Sequence, residues 1–281
     1  MPIANVFGCC VAVAIQTPVR SESESSIAAR EEISDDLMGR IGALMTHGVP
    51  SEFETMKERA YVTFTCLHES RTNNNTDSAG DGTEEEPTIT LLERRNLISG
   101  SRTTGHRTWE AALHLGSYLL TDSGQDLVRG KAVLELGAGT GFLAILCAKH
   151  LGARRVTTTD GDETVVDYLK ENLALNEVDD ERLVTGEDIV TYDKVAITAL
   201  VQTLRQLFRM RPRLQVIIAG VIRNADTFQT FQNECALSNF TVEEITFAAK
   251  PMREQTSLFY AAAVPIKILG ITSQNKDTEE I

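Results

Sequence analysis

Glu135, Gly137, Gly139 and Gly141 stand at alternate positions in KAVLELGAGTGFLAILCAKHLG, residues 131–152, and Asp160 closes the next β-rich run, Arg155 to Thr159. Glycines in this spacing permit positive φ and let the backbone lie against a ligand, because no Cβ intervenes. The dinucleotide fingerprint G-x-G-x-x-G is not met, since Phe142 occupies its third glycine position. Glu135 favours a ligand that carries a cation and would repel a pyrophosphate. An acid at the carboxyl end of a second strand, where Asp160 falls, is placed to accept both hydroxyls of a ribose, as it does in dinucleotide folds. The chemistry these residues suit is the binding of a cationic, ribose-bearing ligand.

Such a site needs a strand, a turn and a helix, and the flanking residues supply them. Val133, Leu134 and Leu136 make a short apolar run, and Leu143, Ile145, Leu146 and Ala148 continue at helical spacing to a stop at Gly152. Upstream, in TTGHRTWEAALHLGSYLL, Thr108 can cap a helix on which Trp109, Ala112, Leu113, Gly116 and Leu120 share a face. Trp109, the one tryptophan, fits either a core position or the wall of the ligand pocket. Lone histidines such as His106, His114 and His150 read as structural or exposed. Downstream, Val165 to about Asn176 and Val195 to Phe208 read as helices, Gln215 to Gly220 as a buried strand and Thr227 to Leu237 as a helix. Thr241 to Phe247 and Leu258 to Ile271 read as a final antiparallel pair, with Pro265 at a bulge or edge. Between Asn176 and Gly186 lie only the nine residues Glu177 to Thr185, too few for a further strand and crossover helix.

The N-terminal part reads differently. Ile33, Leu37, Met38, Ile41, Leu44 and Met45 form one face of an accessory helix ended by Gly48 and Pro50. Tyr61 to Leu67 and Thr88 to Leu92 read as two strands of a hairpin, separated by the polar tract TNNNTDSAGDGTEEE, which cannot bury enough surface to order itself. The apolar stretch Ile3 to Ile15 lacks the basic start of a signal peptide, and no stretch is long enough to span a bilayer, so no membrane association is expected. A net charge of −13 argues against a protein that coats nucleic-acid phosphates. The five scattered cysteines read as reduced thiols of a cytoplasmic protein, without metal spacing.

Five stretches together resemble the seven-strand protein-lysine methyltransferases known as methyltransferase family 16. They are ITLLERRNLISGSRTTGHRTWEAALHLGSYL, VLELGAGTG, the strand ending in Asp160, VTYD (Val190 to Asp193) and VIIAGVIRNADTFQTF. The glycine motif is shared by all S-adenosylmethionine-dependent methyltransferases of this fold; the first and last stretches are far more specific. The resemblance implies S-adenosylmethionine as cofactor, bound by Glu135, Gly137, Gly139, Gly141 and Asp160 with Trp109 at the pocket. It also implies a protein substrate, with translation elongation factor 2 the substrate of the most similar members, and Asp188 and Tyr192 as the catalytic pair that orients the amine. The family motif separates acid and aromatic by three residues, whereas Asp188 and Tyr192 are four apart, which leaves Glu187 as a competing acid.

The expected fold is α/β: a Rossmann-like seven-strand methyltransferase sheet, order 3-2-1-4-5-7-6, with an antiparallel C-terminal strand pair, the third (edge) strand missing, and a small N-terminal α+β extension. The expected organisation is an accessory region at 1–87 with a disordered loop at about 68–86, a methyltransferase domain at 88–272 and a polar tail at 273–281. Two functions from different classes follow. One is a monomeric lysine methyltransferase acting on elongation factor 2; the other is a catalytically impaired splice or gene-model variant that only binds a partner. A small-molecule methyltransferase or a dehydrogenase fits the residues less well.

Overall fold

The computed structural model describes residues 9–15, 38–40, 42–43, 59–68, 86–94, 105–178, 183–187, 194–222, 224–248, 250–261 and 265–274. In chain order the strands are β1 (Cys9–Ile15), β2 (Arg59–Thr65), β3 (Thr88–Arg94), β4 (Ala132–Leu136), β5 (Arg155–Asp160), β6 (Leu183–Glu187), β7 (Gln215–Val221), β8 (Phe240–Ile245) and β9 (Ile266–Ser273). The helices are α1 (Glu110–Leu119), α2 (Asp122–Asp126), α3 (Phe142–Lys149), α4 (Glu163–Leu175), α5 (Lys194–Met210) and α6 (Ala225–Leu237). Of the expected accessory helix, residues 38–40 and 42–43 are described and helical, and Met38 is exposed. The interior of the polar tract and the end of the polar tail lie outside the described residues.

Seven strands form one sheet in the order β6-β5-β4-β1-β7-β9-β8, and β2 and β3 form a separate antiparallel pair. The strands from β6 through β7 are parallel, while β9 runs antiparallel to both β7 and β8. This is the expected α/β sheet with its antiparallel C-terminal pair, but the expected loss of the edge strand is not seen. β6 lies beside β5, with Asp160 opposite Glu187, and so occupies the third place. Stepping outward from β5 through α4 needs only a short return and preserves the usual right-handed crossover. Reaching the fourth place would have required the chain to turn back across β4. That place is filled by β1, with Val13 opposite Leu136 on one side and Ala14 opposite Ala219 on the other. An almost wholly apolar run such as CCVAVAI is what a parallel strand between two others needs. Part of the region expected to be accessory therefore belongs to the main sheet.

Alternation along the strands sends side chains to two cores. Leu134, Leu136, Val216, Ile218, Leu269 and Ile271 face α5 and α6. Helix α5 meets them with Ile197, Leu200, Val201, Leu204 and Phe208, spaced i, i+3, i+4, i+7 and i+11. Val133, Val156, Ile217 and Ala219 face the opposite core with α1, α3 and α4. In α3 every residue from Phe142 to Ala148 is buried. A helix apolar all round must be covered on all sides, and the β2–β3 hairpin supplies the outer cover: Ile89 and Leu91 are fully buried and Phe64 meets the Phe142 ring edge-on at 5.3 Å.

The connection from β8 to β9 folds over the outer side of α1. Thr241 to Phe247 was the expected eighth strand and Leu258 to Ile271 the ninth, but β8 ends at Ile245 and β9 starts at Ile266, after Pro265. Between them, Gln255 donates to the carbonyls of Lys250 and Tyr260 and accepts from the Tyr260 N–H, closing a compact loop. The Tyr260 hydroxyl lies 2.7 Å from His114 Nδ1, and both groups are buried.

Burial lowers the His114 pKa from 6.5 to about 4. The unfolded chain therefore takes up this proton first as pH falls, so the stability held by neutral His114 is full above about 6.5 and lost progressively down to about 4. The shift corresponds to about 3 kcal/mol. Urea denaturation between pH 7 and pH 4.5 is expected to show a loss of stability that is clearly smaller in His114→Gln. Equal losses in both proteins would mean that His114 is not held neutral by the fold.

Candidate functional site

The glycine turn follows from where β4 ends and where α3 must begin. Gly137, Gly139 and Gly141 have φ of 68°, 55° and 83°, in the left-handed region that glycine adopts at little cost. Two of them are also sterically fixed. A Cβ on Gly139 would come within 3.2 Å of the Gly105 carbonyl, and one on Gly141 within 2.3 Å of Leu169 Cδ1. The turn is tied to β5 as well: Ala138 N–H donates to the Thr159 carbonyl at 2.9 Å, and Gly139 N–H to Asp160 Oδ2 at 2.9 Å.

Two buried carboxylates stand at the ends of adjacent strands. Glu135 is 4% exposed and accepts from the Thr158 hydroxyl at 3.0 Å. Asp160 is 6% exposed; besides Gly139, it accepts from Asp162 N–H through Oδ1 at 3.1 Å. Asp162 caps α4 by accepting from Thr164, and those hydrogen bonds hold its carboxyl below the usual range. A site with two anionic side chains and glycines that put no Cβ between backbone and ligand suits a sulfonium and a ribose diol, and it does not suit a pyrophosphate. S-adenosylmethionine carries both of the former, so the residues present fit it. Glu135 and the turn are where its methionine portion could be held, and Asp160 where its ribose could be. A carboxylate offers about four acceptor sites, so two backbone partners leave Asp160 chemically capable of that role.

Thr108 was expected to cap α1, but the N-cap residue is Trp109, with no side-chain cap bond. The Thr108 hydroxyl instead lies 2.7 Å from that of Thr140, inside the turn. Trp109 thereby sits one residue from a direct contact with the turn, half-buried, with the Arg107 guanidinium 4.8 Å from its ring centre. Arg107 is also paired with Glu110 at 2.7 Å. Glu135, the three glycines and Asp160 are thus brought together, with Trp109 adjacent. Asp188 and Tyr192 lie outside the described residues.

The three histidines set aside in the sequence are packed groups. The His106 ring lies against that of Tyr168, tilted by 52° with centres 4.3 Å apart, and His150 Nε2 lies 3.1 Å from the Thr88 carbonyl. Burial lowers the pKa of both. A cleft lined by Ser117, Leu120, Phe247, Lys250 and Tyr260 lies at the end of α1 away from Trp109 and takes no part in the turn. Among the described residues no cluster of His, Cys, Asp or Glu could hold a metal, and no helix is long and apolar enough to cross a membrane.

Sequence reasoning missed Glu93, Thr140 and Asn172. Asn172 donates to the carbonyls of Thr140 and Leu92 and accepts from Leu92 N–H; Asn176, one helical turn on, makes the equivalent pair with Thr90. The i, i+4 spacing of two asparagines on one face was visible, but their partners, 80 and 86 residues away, were not.

The lysine methyltransferase family matches residues 93–189. The chain is 41% identical to the protein-lysine N-methyltransferase EFM3 of Chaetomium thermophilum, covering 88% of this chain and 79% of that protein. It is 33% identical to the protein-lysine N-methyltransferase EFM3 of Saccharomyces cerevisiae, over 68% of this chain and 67% of that one. The human protein-lysine N-methyltransferase EEF2KMT is 26% identical, over 66% and 64%. The Chaetomium alignment runs over 278 positions, more than the 88% of this 281-residue chain that it covers, so that relative has positions this chain lacks.

The turn yields a stability test. An alanine at a left-handed position costs about 1–2 kcal/mol, and at Gly141 the clash with Leu169 adds to it. Gly130 has a similar φ, 70°, with nothing within 4 Å of its added Cβ. Gly141→Ala is expected to lower the urea midpoint clearly more than Gly130→Ala; equal midpoints would show that α3 and α4 do not pack through this glycine.

Proposed function

The chain belongs to the lysine methyltransferase family, and on that premise we propose that the lysine it modifies is on translation elongation factor 2. It is a protein-lysine N-methyltransferase that uses S-adenosylmethionine. The observation that carries the reading is the convergence of Glu135, the glycine turn and Asp160 at the ends of β4 and β5. The substrate assignment is supported by the specific stretches around Trp109 and from β7 into α6, and by the similarity to the human protein-lysine N-methyltransferase EEF2KMT. A cytoplasmic enzyme is consistent with that substrate, and we propose that it acts as a monomer.

When bound, S-adenosylmethionine supplies an electrophilic methyl group. The chain's own residues hold that cofactor and orient the amine. Glu135 and the backbone of Gly137, Gly139 and Gly141 hold the methionine end, and Asp160 fixes the ribose, with the Trp109 ring walling the pocket. A lysine amine, with an ordinary pKa near ~10.4, must be neutral to attack. Burial at the site mouth disfavours its charge, and proton loss to water can precede attack. Asp188, or Glu187 in its place, and Tyr192 accept hydrogen bonds from the amine and keep its lone pair on the reaction axis, where orientation supplies much of the rate.

A second reading has its own support. By the family resemblance the acid and aromatic follow a strand in the fourth place, but β6 ends in the third place and β1 holds the fourth. Those places are three strand spacings apart, about 14 Å. Together with the positions missing relative to the Chaetomium protein, this favours a variant that binds a partner without turnover.

Transfer of labelled methyl groups into purified elongation factor 2 separates the readings. Incorporation is expected, with Tyr192→Phe and Asp188→Asn each lowering kcat by about 100-fold, the scale of lost orientation. Labelling of other proteins but not of elongation factor 2 would sink the substrate assignment. A thermal shift without incorporation would favour the partner-binding reading; ligand at one hundred times its Kd adds about 2.7 kcal/mol.

A further inference from the structure

Among the described residues the β2–β3 hairpin shares no strand pairing with the main sheet, yet β3 meets the glycine turn through a closed ring of buried hydrogen bonds. Glu93 Oε1 accepts from Thr108 N–H at 3.2 Å. The Thr108 and Thr140 hydroxyls are 2.7 Å apart. The Thr140 carbonyl accepts from Asn172 Nδ2 at 3.0 Å, and Asn172 Oδ1 accepts from Leu92 N–H at 2.7 Å. Leu92 is covalently joined to Glu93, which completes the ring. Glu93, Thr108, Thr140 and Asn172 are 4%, 7%, 3% and 0% exposed.

Glu93 is the anomaly in this ring. The inward residues of β3 are Ile89, Leu91 and Glu93, and the first two are fully buried in the core beneath the hairpin. Apolar packing suffices to seat the strand, and a third apolar residue would avoid the cost of burying a carboxylate. An acid there is explained by what it grips, the backbone N–H of the residue that contacts Thr140 and precedes Trp109. Thr140 itself lies between Gly139 and Gly141.

We propose that Glu93 is a positioning residue of the cofactor site, through which the N-terminal hairpin sets the placement of Thr108, Trp109 and the glycine turn. It acts as a hydrogen-bond acceptor through Thr108, without touching the cofactor. The glutamine variant keeps an acceptor oxygen in the same place, and Thr108→Val keeps the shape while removing the link to Thr140.

The proposal is tested on cofactor binding and on the unliganded chain, so it does not depend on which protein is methylated. By titration calorimetry with S-adenosylmethionine, Glu93→Ala and Thr108→Val are expected to raise Kd by about 10-fold, the scale of one charge-assisted hydrogen bond, and Glu93→Gln by less than about 3-fold. Hydrogen exchange of the segment 136–142 without ligand is expected to quicken in Glu93→Ala and Thr108→Val and to stay unchanged in Glu93→Gln. Unchanged exchange and affinity in Glu93→Ala overturn the proposal. A glutamine variant as weak as the alanine one overturns it in favour of a direct contact between the carboxylate and the cofactor. If Glu93→Ala does not fold, Thr108→Val decides: exchange at the turn identical to the unsubstituted chain overturns the proposal. Should the unsubstituted chain bind no cofactor, the exchange measurement alone decides.

Discussion

The hydrogen bond from Gly139 N–H to Asp160 ties the glycine turn to the neighbouring strand and so constrains the elements around it. It joins the turn after β4 to the end of β5, where Leu136 already faces Thr159 in the sheet and Ala138 N–H meets the Thr159 carbonyl. The chain must therefore leave β4, reach sideways to its neighbour and still start α3 against the sheet within five residues. Left-handed backbone at alternate positions solves that path. The same path brings the Gly139 backbone up to Gly105 and puts Thr140 within reach of Thr108. Site geometry and chain reversal are consequences of one requirement.

Because α3 starts so close to the sheet and is apolar all round, it needs an outer cover, and the hairpin provides one at some cost. A two-stranded ribbon is marginal on its own, and β3 would present unpaired backbone to α4. Asn172 and Asn176 answer this as a surrogate strand: each side-chain amide donates to a β3 carbonyl and accepts from the N–H of the same residue, Leu92 and Thr90. Arg59 adds an ion pair to Glu171 at 2.9 Å and lies over the Tyr168 ring, and Arg94 donates to the Tyr168 hydroxyl. The face of α4 turned to the hairpin is polar where the hairpin's backbone is exposed and apolar where its side chains are.

What could be read in the sequence divides along range of interaction. The strand, turn and helix from Ala132 to Lys149 were legible from spacing, as were α4, α5, β7, α6 and the hairpin, because periodicity and glycine placement are local signals. The placement of β1 was not. CCVAVAI says only that the run is apolar, and an apolar run becomes a central strand through neighbours more than a hundred residues away. β9 begins later than expected, after Pro265, which has no N–H to donate within a ladder; the Pro265 carbonyl accepts from Ile222 N–H just before the strand starts. Thr108 was assigned the commonest role of a threonine before a helix, and a hydroxyl on another element claimed it instead.

Strand order bears differently on the glycine turn and on β6. Glu135, the turn and Asp160 lie on β4 and β5, whose pairing does not depend on what occupies the fourth place, so their convergence holds with either β1 or another strand beside β4. β6 is different, because it ends level with Asp160 on the outer side of β5. The seven residues between Leu175 and Leu183 account for this. A link that short favours the adjacent outward place, and once β6 is there the gap between β4 and β7 would expose two unpaired strand edges unless another segment entered it. An apolar N-terminal run is therefore recruited by the shortness of a connection far from it in sequence.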